Sequence, residues 1–519
     1  MDGTGDWSPD TSDTRRDPKR SSEATGGKIS RAGSDEGSKG EQYDGHTSRQ
    51  IDAMFRSLSA WANVDLVAVG MTVVMYLLLL AGAMAYAVRL HGRTRKQEDV
   101  KEVAALDASD DTMFPLLQGH LVPMNVVEER GYSSVLSLVQ VMIGTRPTCD
   151  MALEIWPPAF RAYNIIVPNF LNIPHMILGV PGAVDVGLVS LAMYASSRAS
   201  QCAYCTSHCC SFAARRGVDP AVLQALLDND NKVLTSTQRA VTKVAYGLGT
   251  VPSTLTADDA SELKGVMSTG DIEWIVAAAA MFGSFNKLMD GLGIPLEPDT
   301  LAETKPLMEM PNSKVPLATD NSGWSRPTMD DWTTKLFVVY QGLRPGGALA
   351  LDAKLLHGIP ASKSACMDWL EAEVGDSFQD CLGPLKHLRV VRAVTGVIRE
   401  NMCETAGLGI DVKLHVVVQF CDILQNPRLK ASLQTIRTAR DKADRAASAD
   451  NDELSALILR VAKALSYSPS RMRPSLVEQM RAKSNVLTPP MLVELVSFLA
   501  TIQMMHRIEI FNHIVKQTK

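Results

Sequence analysis

No excess of basic charge runs through this chain: 52 Lys and Arg stand against 57 Asp and Glu, a formal net charge of −5. No basic stripe with interleaved aromatics occurs either, so the electrostatic footprint of a nucleic-acid-binding protein is missing. The first fifty residues hold almost no aliphatic side chains but ten acidic ones. Such a segment cannot bury enough apolar surface to offset its ordering entropy. It also lacks the apolar stretch of a cleavable secretory signal, and its acidity argues against a transit-type leader. Cysteine is sparse, with nine in 519 residues. A secreted disulfide scaffold would be shorter and would spread its cysteines as a framework. Alternating strand patterns are scarce. Gly342-Leu-Arg-Pro-Gly-Gly347 is not followed by Lys-Ser/Thr and reads as a turn rather than a phosphate loop.

What is present sorts into segments. Residues 1–60 read as a disordered polar tail. Leu66 to Val88 is an uncharged apolar run of 23 residues inside a segment, 63–90, expected to form a single transmembrane helix. Arg89, Arg93, Arg95 and Lys96 follow it, whereas only Arg49 and Arg56 lie close before it. By the positive-inside rule the C-terminal domains belong on the cytosolic side. From about residue 100, apolar residues recur at three and four spacing, which predicts an all-α fold. The clearest stretches are Val186–Ser200, Thr237–Leu248, Ile272–Leu292, Pro384–Glu400 and Pro490–Ile514, and 24 Met against 12 Phe suits helical packing. Residues 105–297 and 328–519 are expected as two helical domains joined by a Pro-rich polar linker at 298–327.

The two halves look related. Ile272–Ile294 and Leu492–Ile514 have equal length and similar apolar spacing, which pairs Asn286 with His506 and Lys287 with Arg507. VAYGLGTVP ending at Pro252 parallels VAKALSYSP ending at Pro469, and further upstream Cys202 pairs with Cys403 and Cys205 with Ala406. In that register the second copy has lost its second cysteine and its histidine. His506, Glu509 and His513 share one helix face and read as an amphipathic surface patch. His175, His387 and His415 form no pattern.

Four of the nine cysteines fall within nine residues, in Gln201-Cys202-Ala-Tyr204-Cys205-Thr-Ser-His208-Cys209-Cys210. Residues three or four apart share a helix face, so Cys202, Cys205 and His208 form a run of neighbours. That suits a dithiol cycling to a disulfide, with an imidazole able to accept the Cys205 proton. Zinc ligation is a weaker reading, because side chains fanning from one helix cannot surround a tetrahedral ion and no second Cys-x-x-Cys or His pair is evident. Cys209 and Cys210 read as buried core residues.

The stretch from about 150 to 297 resembles the alkylhydroperoxidase D/carboxymuconolactone decarboxylase family, in its peroxidase-related form. Its Cys-x-Tyr-Cys-x-x-His core is followed by Ala-Arg-Arg-Gly-Val. Trp156-Pro157 and Tyr163-Asn-Ile-Ile-Val-Pro-Asn-Phe170-Leu-Asn172 are similar to the family's lead-in, and Phe285-Asn286-Lys287 through Gly293-Ile-Pro-Leu-Glu297 to its closing helix. The resemblance implies an all-α, usually oligomeric fold with the dithiol on a central helix. It also implies peroxidase or disulfide-reductase activity fed by thiol donors, with no cofactor. By position it makes Cys205 the peroxide-facing thiol, Cys202 its disulfide partner and His208 part of a proton relay. Reasoning from other Cys-x-x-Cys proteins would make Cys202 the attacker. One departure stands out: relatives often carry a Glu about twelve residues before the first cysteine, where this chain has Ser190. Asp185, the nearest upstream acid, reads as a helix-start residue. The expectation is a membrane-anchored thiol peroxidase acting on hydroperoxides. It would be served by a thiol or dithiol reductant protein, as a homo-oligomer or an intramolecular pseudo-dimer. A non-catalytic regulatory scaffold and a decarboxylase-type lyase are the alternatives.

Overall fold

A computed structural model describes residues 82, 111–228, 232–308, 332–443 and 452–517. Every regular element among the described residues is helical, as the apolar spacing requires. The expected polar tail at 1–60 and membrane helix at 63–90 lie outside the described residues, Gly82 apart.

The helices that carry the architecture are numbered in chain order. In the first half they are α1 (Ser133–Ile143), α2 (Cys149–Leu153), α3 (Pro157–Phe170), α4 (Val186–Ala199), α5 (Ala203–Arg215), α6 (Ser236–Gly249), α7 (Thr269–Leu292) and α8 (Pro298–Met308). In the second half they are α9 (Trp332–Leu343), α10 (Ala348–Leu355), α11 (Leu388–Ile398), α12 (Ile410–Leu424), α13 (Pro427–Ala443), α14 (Asp452–Ser466) and α15 (Pro489–Gln517). Start signals are local. Asp185 caps α4 by accepting from the Leu188 amide at 2.9 Å, and Thr235 with Gln238 forms a capping box on α6. Of Gly342–Gly347, the first two residues end α9 and Arg344–Gly347 forms the turn to α10, with Gly346 at φ +67°. The first eleven residues of the expected linker are α8, which packs on α5 through an Arg215–Glu303 ion pair at 2.8 Å, and its remainder lies outside the described residues.

Helices α7 and α15 are buried nearly all round and make the most extensive helix pair of the fold. A helix apolar on every side belongs in a core or a membrane. Pro489–Gln517 is the one described helix long and apolar enough to span a bilayer, but its whole apolar window is buried inside the protein. A Cβ added at Gly283 would sit 2.7 Å from Arg507 Cδ, and one at Gly291 would sit 2.8 Å from Val496 Cγ1. The pairs run in opposite order, so the helices are antiparallel, and the two glycines let them approach closely. One continuous apolar core runs from Met113 to Phe511, shared by both halves.

The ends of this helix pair exchange caps. Lys287 Nζ on α7 donates to the carbonyls of Leu465 at 2.7 Å and Tyr467 at 2.6 Å, closing the C-terminus of α14. Arg507 on α15 donates to Ala279 O at 2.7 Å, Ser200 Oγ at 2.8 Å and Gly249 O at 3.2 Å, the last being the end of α6. Cations satisfy orphan carbonyls at helix C-termini and complement their partial charge. Lys287 and Arg507 are the two residues that the sequence register pairs. Each capped helix end is followed by a cis X–Pro bond, at Pro252 and Pro469.

Two sequence expectations fail in this region. His506 and Glu509 are not a surface patch. Both are buried, with Asn426 donating to His506 Nδ1 at 3.1 Å and Arg428 bound to Glu509. Burial and the charges of Arg507 and Arg428 push His506 down to about 3, so it is neutral. The pairing of Cys202 with Cys403 also fails, because α5 begins one residue after Cys202 whereas α12 begins seven after Cys403. Matched by their helix-start residues, Cys202 and Gly409, the second helix carries Val412 where the first has Cys205 and His415 where it has His208.

Candidate redox site

Cys202 is the N-cap of α5, with extended backbone at φ −85°, ψ 103°, and its Sγ accepts from the Cys205 amide at 3.5 Å. A sulfur there faces the partial positive charge of a helix N-terminus. Cys205 and His208 follow at one-turn spacing, as the motif predicts. All three are buried. Burial, with the neighbouring Cys202, pushes the Cys205 thiol well above its ordinary range. Cys205 therefore needs a base before it can act as a nucleophile. Cys209 and Cys210 are fully buried core residues.

That base is held by a carboxylate the motif does not contain. Gly293, at φ +68°, ends α7 in the left-handed conformation, and the chain then turns through Ile294, Pro295 and Leu296 to Glu297, which precedes Pro298 at the start of α8. A Cβ at position 293 would lie 2.3 Å from Thr112, so the turn depends on glycine twice over. Glu297 is fully buried. It accepts from the Thr148 amide at 2.5 Å and the Tyr204 hydroxyl at 2.8 Å, and it meets His208 Nε2 at 2.9 Å. Burial alone would raise its carboxyl, but the His208 ring and these donors outweigh it and hold Glu297 below the usual carboxylate range. An ionised Glu297 fixes the proton of His208 on Nε2. The other nitrogen, Nδ1, is buried and has no hydrogen-bond partner. In the neutral ring it is a lone-pair acceptor, and in the imidazolium a donor, which suits proton transfer in both directions.

Nδ1 belongs to a ring that lines an apolar cavity of about 80 Å³. Cys205, Tyr204, Tyr163 and Cys149 line the same cavity, with aliphatic side chains, methionines and phenylalanines for the rest of the wall. Cys202 does not line it. Tyr204 packs tilted against His208, ring centroids 4.5 Å apart. Cys149 on α2 lies against Asp150, and burial, with the neighbouring carboxylates Asp150 and Glu297, pushes its thiol well up. Ser190, where a carboxylate was looked for, donates instead to the Val186 carbonyl at 2.6 Å. The relay is thus completed from the other end of the domain. The closing segment quoted from the sequence ends on Glu297, but its role depends on a contact across 89 residues.

Comparison with family models, with curated proteins and with solved structures found no match. The chemistry rests on the geometry alone. Cys205 is a protonated, cavity-facing thiol, His208 is an oriented acid–base, and Cys202 stands one turn away as a second sulfur. Orienting an imidazole through a buried carboxylate is the same device that serves nucleophilic triads on unrelated folds.

Proposed function

We propose that this chain is a thiol-dependent peroxidase and disulfide oxidoreductase, with Cys205 as the peroxide-reacting residue. The carrying observation is that Cys205 shares a cavity with an imidazole whose Nε2 is held by Glu297 and whose Nδ1 is unpartnered. His208 Nδ1 takes the Cys205 proton. The thiolate attacks the terminal oxygen of a hydroperoxide, the O–O bond breaks, and the leaving alkoxide or hydroxide receives the proton from the imidazolium. Cys205 is then a sulfenic acid, oxidised by two electrons. Cys202 attacks its sulfur, water leaves, and a Cys202–Cys205 disulfide remains. An external thiol or dithiol reductant returns the pair to thiols.

Within this reading the second half is a degenerate copy of the first. It lacks both sulfurs at the matching helix start, and its contribution is to cap and bury the first through α15. The apolar run at 63–90 anchors the protein to a membrane.

The test replaces Cys202 and Cys205 singly by Ser and follows peroxide consumption with dithiothreitol. Cys205→Ser is expected to abolish turnover, while Cys202→Ser stops at a sulfenic acid that dimedone traps. Unchanged rates in both variants would overturn the proposal. Mass spectrometry after one equivalent of peroxide is expected to show the Cys202–Cys205 disulfide.

A further inference from the structure

The cavity at Cys205 does not end at its own wall. A second, apolar cavity of about 40 Å³ lies beyond it, bounded by α1, α3, α9 and α10. Val139, Met142 and Val167 line both, so the partition between them is a single layer of side chains. Val139 and Met142 are three residues apart on α1, hence on one face. Met142 is unbranched, with three rotatable side-chain bonds, and can swing aside at little cost. The chemistry is all on one side: Cys205, His208, Tyr163 and Tyr204 line the inner cavity and none of them lines the outer one.

The outer chamber offers hydrocarbon from Val135, Leu138, Ile173, Val338 and Leu351, and at its rim Asn164 and the carboxylate of Asp352. Asp352 is bound by Asn169 Nδ2 at 2.7 Å. No lysine or arginine lines it. The chamber wall therefore offers no cationic side chain to pair with an anionic end group.

We infer that the outer chamber is a tail subsite, so that the preferred substrate is a hydroperoxide bearing an unbranched, uncharged alkyl chain. The peroxy group meets Cys205 and His208 while the chain passes Met142 and fills the space between α1, α3 and α10. This inference rests on the peroxidase reading of the inner site. A dry apolar chamber rewards each methylene that leaves water by about fourfold in binding. The gain stops when the chamber is full.

Two measurements on the full chain separate this inference from the reading beneath it. The first follows disulfide formation with ethyl, butyl, hexyl and octyl hydroperoxides and with a carboxylate-ended hydroperoxide of hexyl length. The second follows iodoacetamide labelling of Cys205 in the presence of the corresponding n-alkanols and needs no peroxide chemistry. Expected results are a kcat/KM that climbs by about tenfold or more per two-carbon step and then levels, a poor carboxylate-ended substrate, and alkanol protection with the same length profile. Val135→Phe and Leu351→Phe, made separately to fill the chamber from two sides, are each expected to lower the octyl-to-ethyl ratio at least tenfold. A flat length profile with peroxide turnover intact overturns the tail subsite and leaves the peroxidase. Length-dependent alkanol protection without peroxide turnover supports the subsite and overturns the peroxidase. Flat profiles in both measurements overturn the subsite.

Discussion

Helices α5 and α12 lie one in each half of the sequence, and only α5 carries a pair of sulfurs at its start. Each starts after a non-helical residue, Cys202 or Gly409, and each has a histidine six residues further on. His208 is buried against an ionised carboxylate, its Nδ1 has no hydrogen-bond partner, and it lines a cavity together with Cys205. His415 makes its hydrogen bond to Gln419 at 3.2 Å on the same helix, and three residues before it stands Val412 rather than a thiol. Spacing alone therefore does not separate the two histidines. What sets His208 apart is a distant acid against its Nε2 and a neighbouring sulfur, Cys205, on the same cavity.

That contrast can be broken most directly at Glu297. Glu297→Gln keeps the side-chain volume but removes the charge that orients His208. Peroxide-driven disulfide formation is expected to fall by about 10²–10⁴-fold, measured by stopped-flow with far-UV circular dichroism as the control for folding. A loss of less than threefold would place the relay elsewhere. The next effect concerns how the halves hold each other. Arg507→Met leaves the carbonyls of Ala279 and Gly249 buried without that donor, and Lys287→Met does the same to Leu465 and Tyr467. Each is expected to cost about 3 kcal/mol in urea unfolding, and similar losses would show that the two caps are equivalent.

A subtler difference is in acid response. His506 is held neutral at about 3 in the folded protein, so between there and its ordinary value near 6.5 the unfolded chain binds the extra proton. Stability contributed by this site is present above about 6.5 and declines as pH falls toward 3, by about 1.4 kcal/mol per pH unit. Glu297 acts in a lower window, its contribution being present above about 4.5 and lost as pH falls through its depressed folded value. His506→Gln is expected to flatten the slope of unfolding free energy against pH between 6.5 and 4.5. An unchanged slope would assign acid sensitivity to other groups. The smallest expected effect is at His415, where replacement by Ala should leave disulfide formation unchanged and stability within about 0.5 kcal/mol. A large loss there would mean that the second half has chemistry of its own.

The helices were readable because apolar spacing is a local property. Val186–Ser200, Thr237–Leu248, Ile272–Leu292 and Pro490–Ile514 all appear within a few residues of the elements observed. The core cluster was readable for the same reason, since Cys202, Cys205 and His208 are close in sequence and share a helix. The carboxylate was not. It was sought near Ser190, on the helix before the thiols, whereas it arrives from the segment after α7, across a contact no local pattern encodes. The burial of His506 and Glu509 was likewise hidden. Their spacing on one face is amphipathic in isolation, and only Asn426 and Arg428 packing over that face turn it into core.

By itself the sequence determined the all-α class, the positions of the long helices, and the three residues of the thiol motif. Those follow from side-chain periodicity and short-range neighbours. Tertiary structure alone decided that Glu297 orients His208, that Cys205 rather than Cys202 faces a cavity, and that a second chamber lies behind Met142. Each of these joins groups far apart in the chain, and their proximity exists only once the shared core has closed around them.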